Sequence, residues 1–332
     1  MPIQPTADRW YDFACDAHAK VGIRAGNVSE LEVLDLTTGL PTHRLVTNFT
    51  SSGRLAVSAT GERCLTGGWG NPNGGGVCCY SISDGKELWR RRDLKRPQAL
   101  RRDDRRDGWI VSLDRGGTHL LDGRSGITQG VIRGAGFGSQ VRYVDARDAY
   151  LCIRGNRAEL LNAQDLGVVC PLQVPVLWHH MEADARVPSG FSVDHVSLKR
   201  DGEMCERSRI VGVIQAAIGG GKVVLSVGCG PLLCFSLATG AMEWSVESIR
   251  GSHYLNVGVC CERRTCYGLS WSRLHGGSEE VVAIDLDTGT INRREIVPGR
   301  GWSSGEFCHD GSVVLSGSGE LNVLTLKVRA FS

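Results

Sequence analysis

Short hydrophobic runs, each ended by a polar turn, recur along the whole chain. The four clearest runs close on a glycine and are followed by a second run; they are Val33–Gly39, Cys79–Gly85, Cys234–Gly240 and Ala283–Gly289. Short apolar runs bounded by Gly, Asp and Ser are typical of β-strands, and no part of the chain shows helical periodicity. The pattern therefore predicts an all-β chain built from strand–turn–strand units.

The glycines that close these turns give the length of the repeat. They recur at intervals of 46, 41, 41, 73 and 49 residues, at Gly39, Gly85, Gly126, Gly167, Gly240 and Gly289. Units of about 40 to 50 residues filled with short strands are typical of four-stranded propeller blades. A unit of this size cannot bury its own apolar face, so it stacks on its neighbours.

The two ends of the chain complete the blade count. After the sixth unit, Gly305–Cys308, Ser312–Leu315 and Leu321–Leu326 predict three further strands. The unpaired edge of the last one needs a partner, and the segment Trp10–Phe13 is the natural donor. We therefore expect a single domain over residues 1–332, folded as a seven-bladed β-propeller of four-stranded antiparallel blades. The pairing of N- and C-terminal strands would close it.

The long interval between Gly167 and Gly240 leaves an alternative open. Residues 173–209 are predicted to be an insertion between blades. Phe191–Leu198, followed by the polar turn Lys199–Gly202, could instead be a decayed blade, which would give eight. Seven is favoured because this segment lacks the paired strands that precede the other turns.

The turn sequences resemble those of known propeller families. Ala283–Gly289 resembles the A-x-D-x-x-T-G core of quinoprotein-type, or PQQ-like, repeats. In that family a tryptophan four residues after the glycine packs between blades, and Trp89 and Trp244 have this spacing. Ala59–Gly68 is similar to the first hairpin of a WD40 blade, without the G-H and W-D signatures. The resemblance implies the fold rather than a function; the equivalents of the tryptophan elsewhere are His43, Gly130 and Arg293.

Quinoprotein dehydrogenases of this superfamily bind a quinone with calcium and are usually exported. The chain has no recognisable secretory signal, and two tryptophan motifs are few for such an enzyme. Its adjacent cysteines, Cys78-Cys79 and Cys260-Cys261, are similar to the vicinal disulfide of some of these enzymes, but they lie in predicted strands where neighbours face opposite ways. We expect no cofactor and no metal.

Composition narrows the class of protein further. The formal net charge is +2 over 332 residues, which gives no general attraction to nucleic acid or to an anionic membrane. No stretch approaches the roughly 20 apolar residues that span a bilayer. The 13 cysteines include no C-x-x-C spacing, so they are expected to be small buried hydrophobes in a reducing compartment, the cytoplasm. The alternative is a zinc site formed by Cys260, Cys261, Cys266, Cys308 and His309.

Motifs that would indicate catalysis do not have the required context. Gly301–Gly305 fits G-x-S-x-G, but a β-hairpin rather than a helix is predicted to follow it. Ile218–Lys222 is glycine-rich without P-loop spacing. His179 and His180, with Glu182, are either metal ligands or solvated loop residues. We therefore expect no enzyme; the alternative is a propeller hydrolase, lyase or quinoprotein-like oxidoreductase with its site in a central channel.

Three long segments are predicted to lie together on the face opposite the x-T-G turns. They are residues 67–76 with Trp69, residues 90–108, and residues 173–209 with Trp178, His179 and His180. Long loops gathered on one face of a rigid scaffold are where binding usually occurs.

The segment 90–108 is strongly basic. Its nine cations face four aspartates and are Arg90, Arg91, Arg92, Lys95, Arg96, Arg101, Arg102, Arg105 and Arg106. Either they pair with nearby aspartates in a solvated connection, or they recognise carboxylates or phosphates on a partner. An acidic protein surface is favoured over nucleic acid because the patch is short. We expect a non-catalytic protein-interaction module or scaffold, either a complex subunit or an inhibitor of the immunity-protein type; the sequence does not predict its oligomeric state.

Overall fold

The fold was analysed in a computed structural model of the chain. It describes residues 10–16, 18, 20–26, 29–47, 52–68, 75–135, 140–154, 157–172, 196–200, 203–209, 213–227, 231–247, 252–272, 279–297, 302–307 and 313–317. Among them the only helix is the 3-10 turn Asp145–Arg147. The predicted all-β class is therefore confirmed.

Six four-stranded antiparallel sheets contain most of the described residues, each with its strands in chain order. Sheet 1 contains β1 (Trp10–Cys15), β2 (Val21–Gly26), β3 (Glu30–Asp35) and β4 (Leu40–Val46). Sheet 2 contains β5 (Ser52–Val57), β6 (Arg63–Gly68), β7 (Gly76–Ser81) and β8 (Glu87–Arg91). Sheet 3 contains β9 (Pro97–Asp103), β10 (Gly108–Leu113), β11 (Thr118–Leu121) and β12 (Thr128–Ile132).

The next three sheets repeat this arrangement, with a hairpin before the last two. Sheet 4 contains β13 (Gln140–Val144), β14 (Ala149–Arg154), β15 (Arg157–Asn162) and β16 (Val168–Pro171). A two-stranded hairpin follows, formed by β17 (Val196–Arg200) and β18 (Glu203–Arg209). Sheet 5 contains β19 (Val213–Gly219), β20 (Lys222–Val227), β21 (Leu232–Ser236) and β22 (Met242–Val246). Sheet 6 contains β23 (Ser252–Cys260), β24 (Thr265–Ser272), β25 (Glu279–Asp285) and β26 (Ile291–Val297).

A second hairpin follows sheet 6 and is formed by β27 (Trp302–Phe307) and β28 (Val313–Gly317). The six predicted turn-bearing units are thus six four-stranded sheets. The reason for preferring seven blades was wrong, because β17 and β18 are paired strands within residues 173–209. The count of seven is not confirmed, and the predicted strand Leu321–Leu326 lies outside the described residues.

The N-terminal strand belongs to sheet 1, and pairing of the N- and C-terminal strands is not detected among the described residues, which do not include Leu321–Leu326. Strand β1 pairs with β2 in antiparallel register, from Trp10 opposite Gly26 to Cys15 opposite Gly22. A tight turn fixes this pairing, because Asp16 Oδ1 accepts the amides of Lys20 at 2.7 Å and Val21 at 3.0 Å. Burial of Phe13 and Ala14 further stabilises the pairing of β1 with β2. Strand β27 lies beside β1 without pairing with it.

The polar turn between the third and fourth strands of a sheet is held by its first side chain. In sheet 6, Asp285 Oδ1 accepts the amides of Asp287 and Thr288 at 3.0 and 2.8 Å. Gly289 then closes the turn at φ +73°, in the left-handed region that glycine adopts without steric cost. These amide donors also hold the pKa of the Asp285 carboxyl below its usual range. The turn aspartates therefore act on their own backbone.

The turn of sheet 4 differs from the prediction by one residue. The spacing predicts Gly167 as its closing glycine, but Leu166 has the left-handed conformation there, at φ +61°. The Leu166 amide donates to Asn162 O at 2.9 Å, which is the bond that Gly126 makes to Asp122 O in sheet 3. The loop Asn162–Gly167 therefore carries a bulky side chain where the other turns carry glycine.

The sheets bury apolar residues from both of their faces. Adjacent Cys78 and Cys79 on β7 show this directly, since Cys78 packs with Leu31 of sheet 1 and Cys79 packs with Trp109 of sheet 3. Both thiols are fully buried, and burial raises the pKa of each to about 12. They act as small hydrophobes in two different layers and cannot form a compact crosslink.

Contacts between neighbouring sheets recur at one position, four residues after the left-handed turn residue; we call it the docking position. Trp89 of sheet 2 donates its indole N–H to Gly123 O at 3.1 Å and covers Gly126 of sheet 3. Trp244 of sheet 5 likewise donates to Leu286 O at 2.9 Å and covers Gly289 of sheet 6. The inter-blade role that the family resemblance implied for these tryptophans is confirmed.

Other residue types occupy the docking position elsewhere. His43 Nε2 lies 2.6 Å from Ile82 O, the carbonyl equivalent to those that accept from the tryptophans, so this nitrogen carries a proton. Cys170 of sheet 4 packs on Gly240 of sheet 5. At the contact between sheets 3 and 4 the large and the small residue have changed places. The docking position holds Gly130, and the large side chain comes from Leu166 in the turn.

The chain forms two compact units. The first comprises residues 1–152, 161–167 and 301–332, and the second comprises residues 153–160 and 168–300. Docking contacts occur within both units, between sheets 1, 2, 3 and 4 in the first and between sheets 4, 5 and 6 in the second.

A pair of glycine substitutions tests whether the docking contact stabilises the fold. Gly39→Ala and Gly126→Ala both place a Cβ at positive φ, +74° and +70°, which costs about 1–2 kcal/mol each. The Gly39 Cβ would meet nothing within 4 Å, whereas the Gly126 Cβ would lie 2.6 Å from the Trp89 ring. We expect Gly126→Ala to lower the free energy of unfolding by about 1–3 kcal/mol more than Gly39→Ala in urea titrations. Equal losses would contradict the docking role of Trp89.

Candidate functional site

The basic segment 90–108 is not one loop. Arg90 and Arg91 end strand β8, and Arg101 and Arg102 lie on β9, so only residues 92–96 connect sheets 2 and 3. Since neighbouring strands are antiparallel, Arg105 and Arg106 in the β9–β10 turn lie at the opposite end of sheet 3 from this connection. The predicted single arginine face is therefore wrong, because the arginines are divided between two ends of one sheet.

The arginines at the end of β8 make contacts that stabilise the fold. Arg90 Nε donates to Glu87 Oε1 at 3.0 Å. Arg91 binds Asp93 through Nε at 2.8 Å and also donates from Nη1 to Gly126 O at 2.6 Å in sheet 3. The carboxylate of Asp93 raises the pKa of Arg91. Both side chains are half-buried, so they are engaged within the molecule.

The arginines of the β9–β10 turn join sheet 3 to sheet 4. Arg105 pairs with Asp148 through Nε at 2.6 Å and donates from Nη1 to Ala163 O at 3.0 Å. Arg106 Nη2 donates to the same Ala163 carbonyl at 3.1 Å. The Arg106 guanidinium also lies over the Tyr150 ring, 5.5 Å from its centre. These two residues are part of the structural connection between sheets.

A buried carboxylate lies at the centre of this connection. Asp103 is fully buried, and its Oδ2 accepts the Tyr150 hydroxyl at 2.7 Å and lies 3.9 Å from Arg106 Nη1. Burial raises the pKa of the Asp103 carboxyl, while the Tyr150 bond and Arg106 lower it by less. Arg102 on the same strand pairs with Asp104 at 2.5 Å. Of the nine predicted cations, Arg91, Arg102 and Arg106 thus pair with aspartates of the same segment.

The exposed cations collect at the connection end of sheet 3. Lys95 and Arg96 lie in the connection, which is anchored by the buried Leu94. The β10–β11 turn and the residues after β12 lie at the same end, because β10 and β12 both run towards it. They contribute two further exposed arginines that the sequence analysis did not single out. We call this group the basic edge; its members are Arg92, Lys95, Arg96, Arg115 and Arg133.

A backbone hydrogen bond and an ion pair hold the connection against the β10–β11 turn. The Asp114 amide donates to Arg96 O at 3.1 Å, and Asp114 Oδ2 lies 3.8 Å from Arg96 Nη1. Arg92, Lys95, Arg115 and Arg133 have no carboxylate partner among the described residues. Apart from Arg96, the cations of the basic edge therefore form no ion pair among the described residues, and the surface is positive.

A shallow pocket of about 570 Å³ lies within the basic edge. The β10–β11 turn forms one wall and the end of β12 forms the other; its lining residues are Asp114, Arg115, Gly116, Gly117, Val131, Arg133 and Gly134. Arg96 forms an ion pair with the lining residue Asp114. The arrangement offers guanidinium groups to an anionic partner.

The remaining predicted site residues lie outside the described residues. They are Trp69, Trp178, His179 and His180. Within the described ranges, no three His, Cys, Asp or Glu side chains are placed to hold a metal ion, and no helix is long and apolar enough to cross a membrane. The G-x-S-x-G motif lies at β27, so it has a strand backbone instead of a strand–turn–helix elbow.

Comparison with known proteins identifies the fold. No protein-family model matches the chain, and neither does any curated protein. Among solved structures, the chain is similar to the crystal structure of the beta-propeller domain of Cps50 (Swd1) from Myceliophteria thermophila, with a TM-score of 0.69 and 11% identity. The match covers 98% of this chain and 99% of that one. The chain therefore has a β-propeller fold, and this likeness does not distinguish WD40-like from PQQ-like repeats.

Substitution of one tyrosine tests the buried connection between sheets 3 and 4. Tyr150→Phe removes a donor from a carboxylate that cannot reach water, so we expect a loss of about 1–3 kcal/mol in the free energy of unfolding at neutral pH. The loss should shrink towards pH 4, because a protonated Asp103 depends less on that donor. Tyr143→Phe is the control, since its bond to Asp148 is exposed and should contribute under about 0.5 kcal/mol. Chemical denaturation across pH measures both, and equal losses would show that Asp103 does not depend on Tyr150.

Proposed function

We propose that this chain is a non-catalytic protein-binding scaffold whose basic edge contacts an acidic surface of a partner protein. The observation that supports this proposal is that some of the cations of sheets 2 and 3 bind within the fold while others are exposed. Arg90, Arg91, Arg105 and Arg106 are engaged by the fold, while the five cations of the basic edge remain exposed at one end of sheet 3. Exposed like charges repel each other, so a cluster in which only Arg96 forms an ion pair among the described residues is best explained by a partner.

A protein partner fits this surface better than a nucleic acid does. The whole chain has a formal net charge of only +2, and the basic edge is confined to one end of one sheet. Nucleic-acid binding usually needs a longer basic stripe that neutralises several phosphates. The planar guanidinium groups of arginine suit the carboxylates of a protein surface, which they bind through two parallel hydrogen bonds.

The proposed place of action is the cytoplasm. Of the described cysteines, Cys64, Cys78, Cys79, Cys152, Cys234, Cys260 and Cys266 are buried free thiols. Burial raises the pKa of Cys234 to about 12, so this thiol stays protonated and unreactive at neutral pH. A reducing compartment is where such a set of unpaired cysteines is ordinarily found.

Charge reversal of the connection tests the proposal. We expect the variant Arg92→Glu, Lys95→Glu, Arg96→Glu to lose most of the proteins that the wild-type chain captures from native lysate. The physical reason is that three attractive contacts become repulsive at an electrostatically complementary interface. Captured proteins are quantified by mass spectrometry at low and high salt, and those lost should be rich in exposed Asp and Glu.

Arg124→Glu is the matched control. Arg124 is exposed on the β11–β12 turn of the same sheet, at the opposite end from the basic edge. It should leave the captured set unchanged, and both variants should keep the wild-type melting temperature. An identical set of partners from the triple variant would contradict the proposal.

A further inference from the structure

We propose that the pocket within the basic edge binds an acidic peptide segment by clasping its Asp or Glu carboxylates between Arg115 and Arg133. This inference rests on the proposed binding function and names the part of the partner that enters the pocket. The pocket has a volume of about 570 Å³, within the range of roughly 300–1,000 Å³ that is usual for binding sites.

The two arginines approach the pocket from different elements. Arg115 belongs to the β10–β11 turn, and Arg133 directly follows β12. Both side chains are exposed, and both line the pocket. A guanidinium group presents parallel N–H donors that match the two oxygens of a carboxylate. Two guanidinium groups on opposite walls can therefore bind carboxylates on a chain that passes between them.

Glycines make the pocket accessible to a main chain. Gly116, Gly117 and Gly134 line it and contribute no side chain that would fill it. Gly117 lies at φ +90°, and a Cβ there would lie 2.6 Å from Ile132 O, so only glycine fits at this point of the wall. Where glycines line a surface, the backbone of a bound segment can approach closely.

Buried hydrogen bonds hold the two walls in place. Thr118 Oγ1 lies 2.8 Å from Ser112 Oγ and donates to Ala135 O at 2.8 Å, which joins the residue after the β10–β11 turn to the residue after Gly134. Thr118 and Ala135 are both fully buried. The pocket is therefore largely preorganised, so binding does not have to order its walls.

One further lining residue favours a peptide over a free anion. Val131 offers an apolar contact that a small inorganic ion cannot use. Asp114 is also in the pocket and repels any anion, and Arg96 at 3.8 Å offsets part of its charge. In an open, hydrated site, two or three charge contacts bind a lone anion weakly, because water competes for them and salt screens them. An acidic peptide adds main-chain and apolar contacts to the same charge pairs.

Binding of a defined peptide tests the inference. The probe is a fluorescein-labelled peptide of alternating Glu and Gly residues, and its Kd for the full chain is measured by fluorescence anisotropy. Replacing Glu with Gln in the peptide should abolish binding. Arg115→Lys with Arg133→Lys keeps the charge but removes the planar fork, so we expect the Kd to rise about tenfold or more. The control Arg124→Lys should leave the Kd within twofold.

The outcomes separate this inference from the proposed function. Unchanged peptide affinity in the Arg115→Lys, Arg133→Lys variant would overturn the inference, whatever the lysate experiment shows. Loss of peptide affinity only in the Arg92→Glu, Lys95→Glu, Arg96→Glu variant would also overturn the inference, because the peptide would then bind the connection between sheets 2 and 3. Full competition by millimolar inorganic phosphate would also overturn it, because the site would then be a simple anion site. A loss confined to the pocket variant, with its wild-type melting temperature retained, would support the inference.

Discussion

Docking of one side chain against the turn of the next sheet is the contact on which the rest of this fold depends. Four-stranded sheets of this length cannot bury their apolar faces alone, so each needs a defined neighbour. The residue at the docking position determines how a sheet packs on its neighbour, because this residue meets a turn whose glycine leaves room for it. Trp89 on Gly126 and Trp244 on Gly289 are the largest examples. Their indole N–H groups also donate to a turn carbonyl, which fixes the rotation of one sheet against the next.

The same contact accounts for sequence variation between the repeats. His43 has a smaller ring than tryptophan and makes the equivalent hydrogen bond to a turn carbonyl. Cys170 fills the space over Gly240 with its thiol. Gly130 and Leu166 reverse the arrangement, so that the turn supplies the bulk and the strand supplies the space. A docking contact thus needs one large and one small partner, and it tolerates either order. This complementarity explains how repeats with little sequence in common build equivalent interfaces.

The sequence was sufficient to predict most of the fold but little of the candidate site. The polar turns that end on glycine are local, since a side chain binds its own backbone, so their spacing predicted six turn-bearing units. The family resemblance implied the inter-blade tryptophans. Leu166 was missed because a left-handed leucine is unusual, and the pairing of β1 with β2 was missed because the choice between two strand edges depends on distant residues. The arginines of 90–108 looked equivalent in sequence. Whether Arg105 binds Asp148 or solvent is decided by the sheet that folds beside it, and Arg115 and Arg133 join the connection only through antiparallel pairing.

The exchanged pair between sheets 3 and 4 allows the most direct test of this account, through a double-mutant cycle. Leu166→Gly removes the large partner, Gly130→Leu adds a second one, and the double variant restores one large and one small residue in the order found at other sheets. The free energy of unfolding is measured for all four proteins. The account predicts that the double variant loses less free energy of unfolding than the two single variants lose together. The difference, which is the coupling energy, should be about 1–3 kcal/mol. Additive losses would contradict the claim that complementary docking holds neighbouring sheets together.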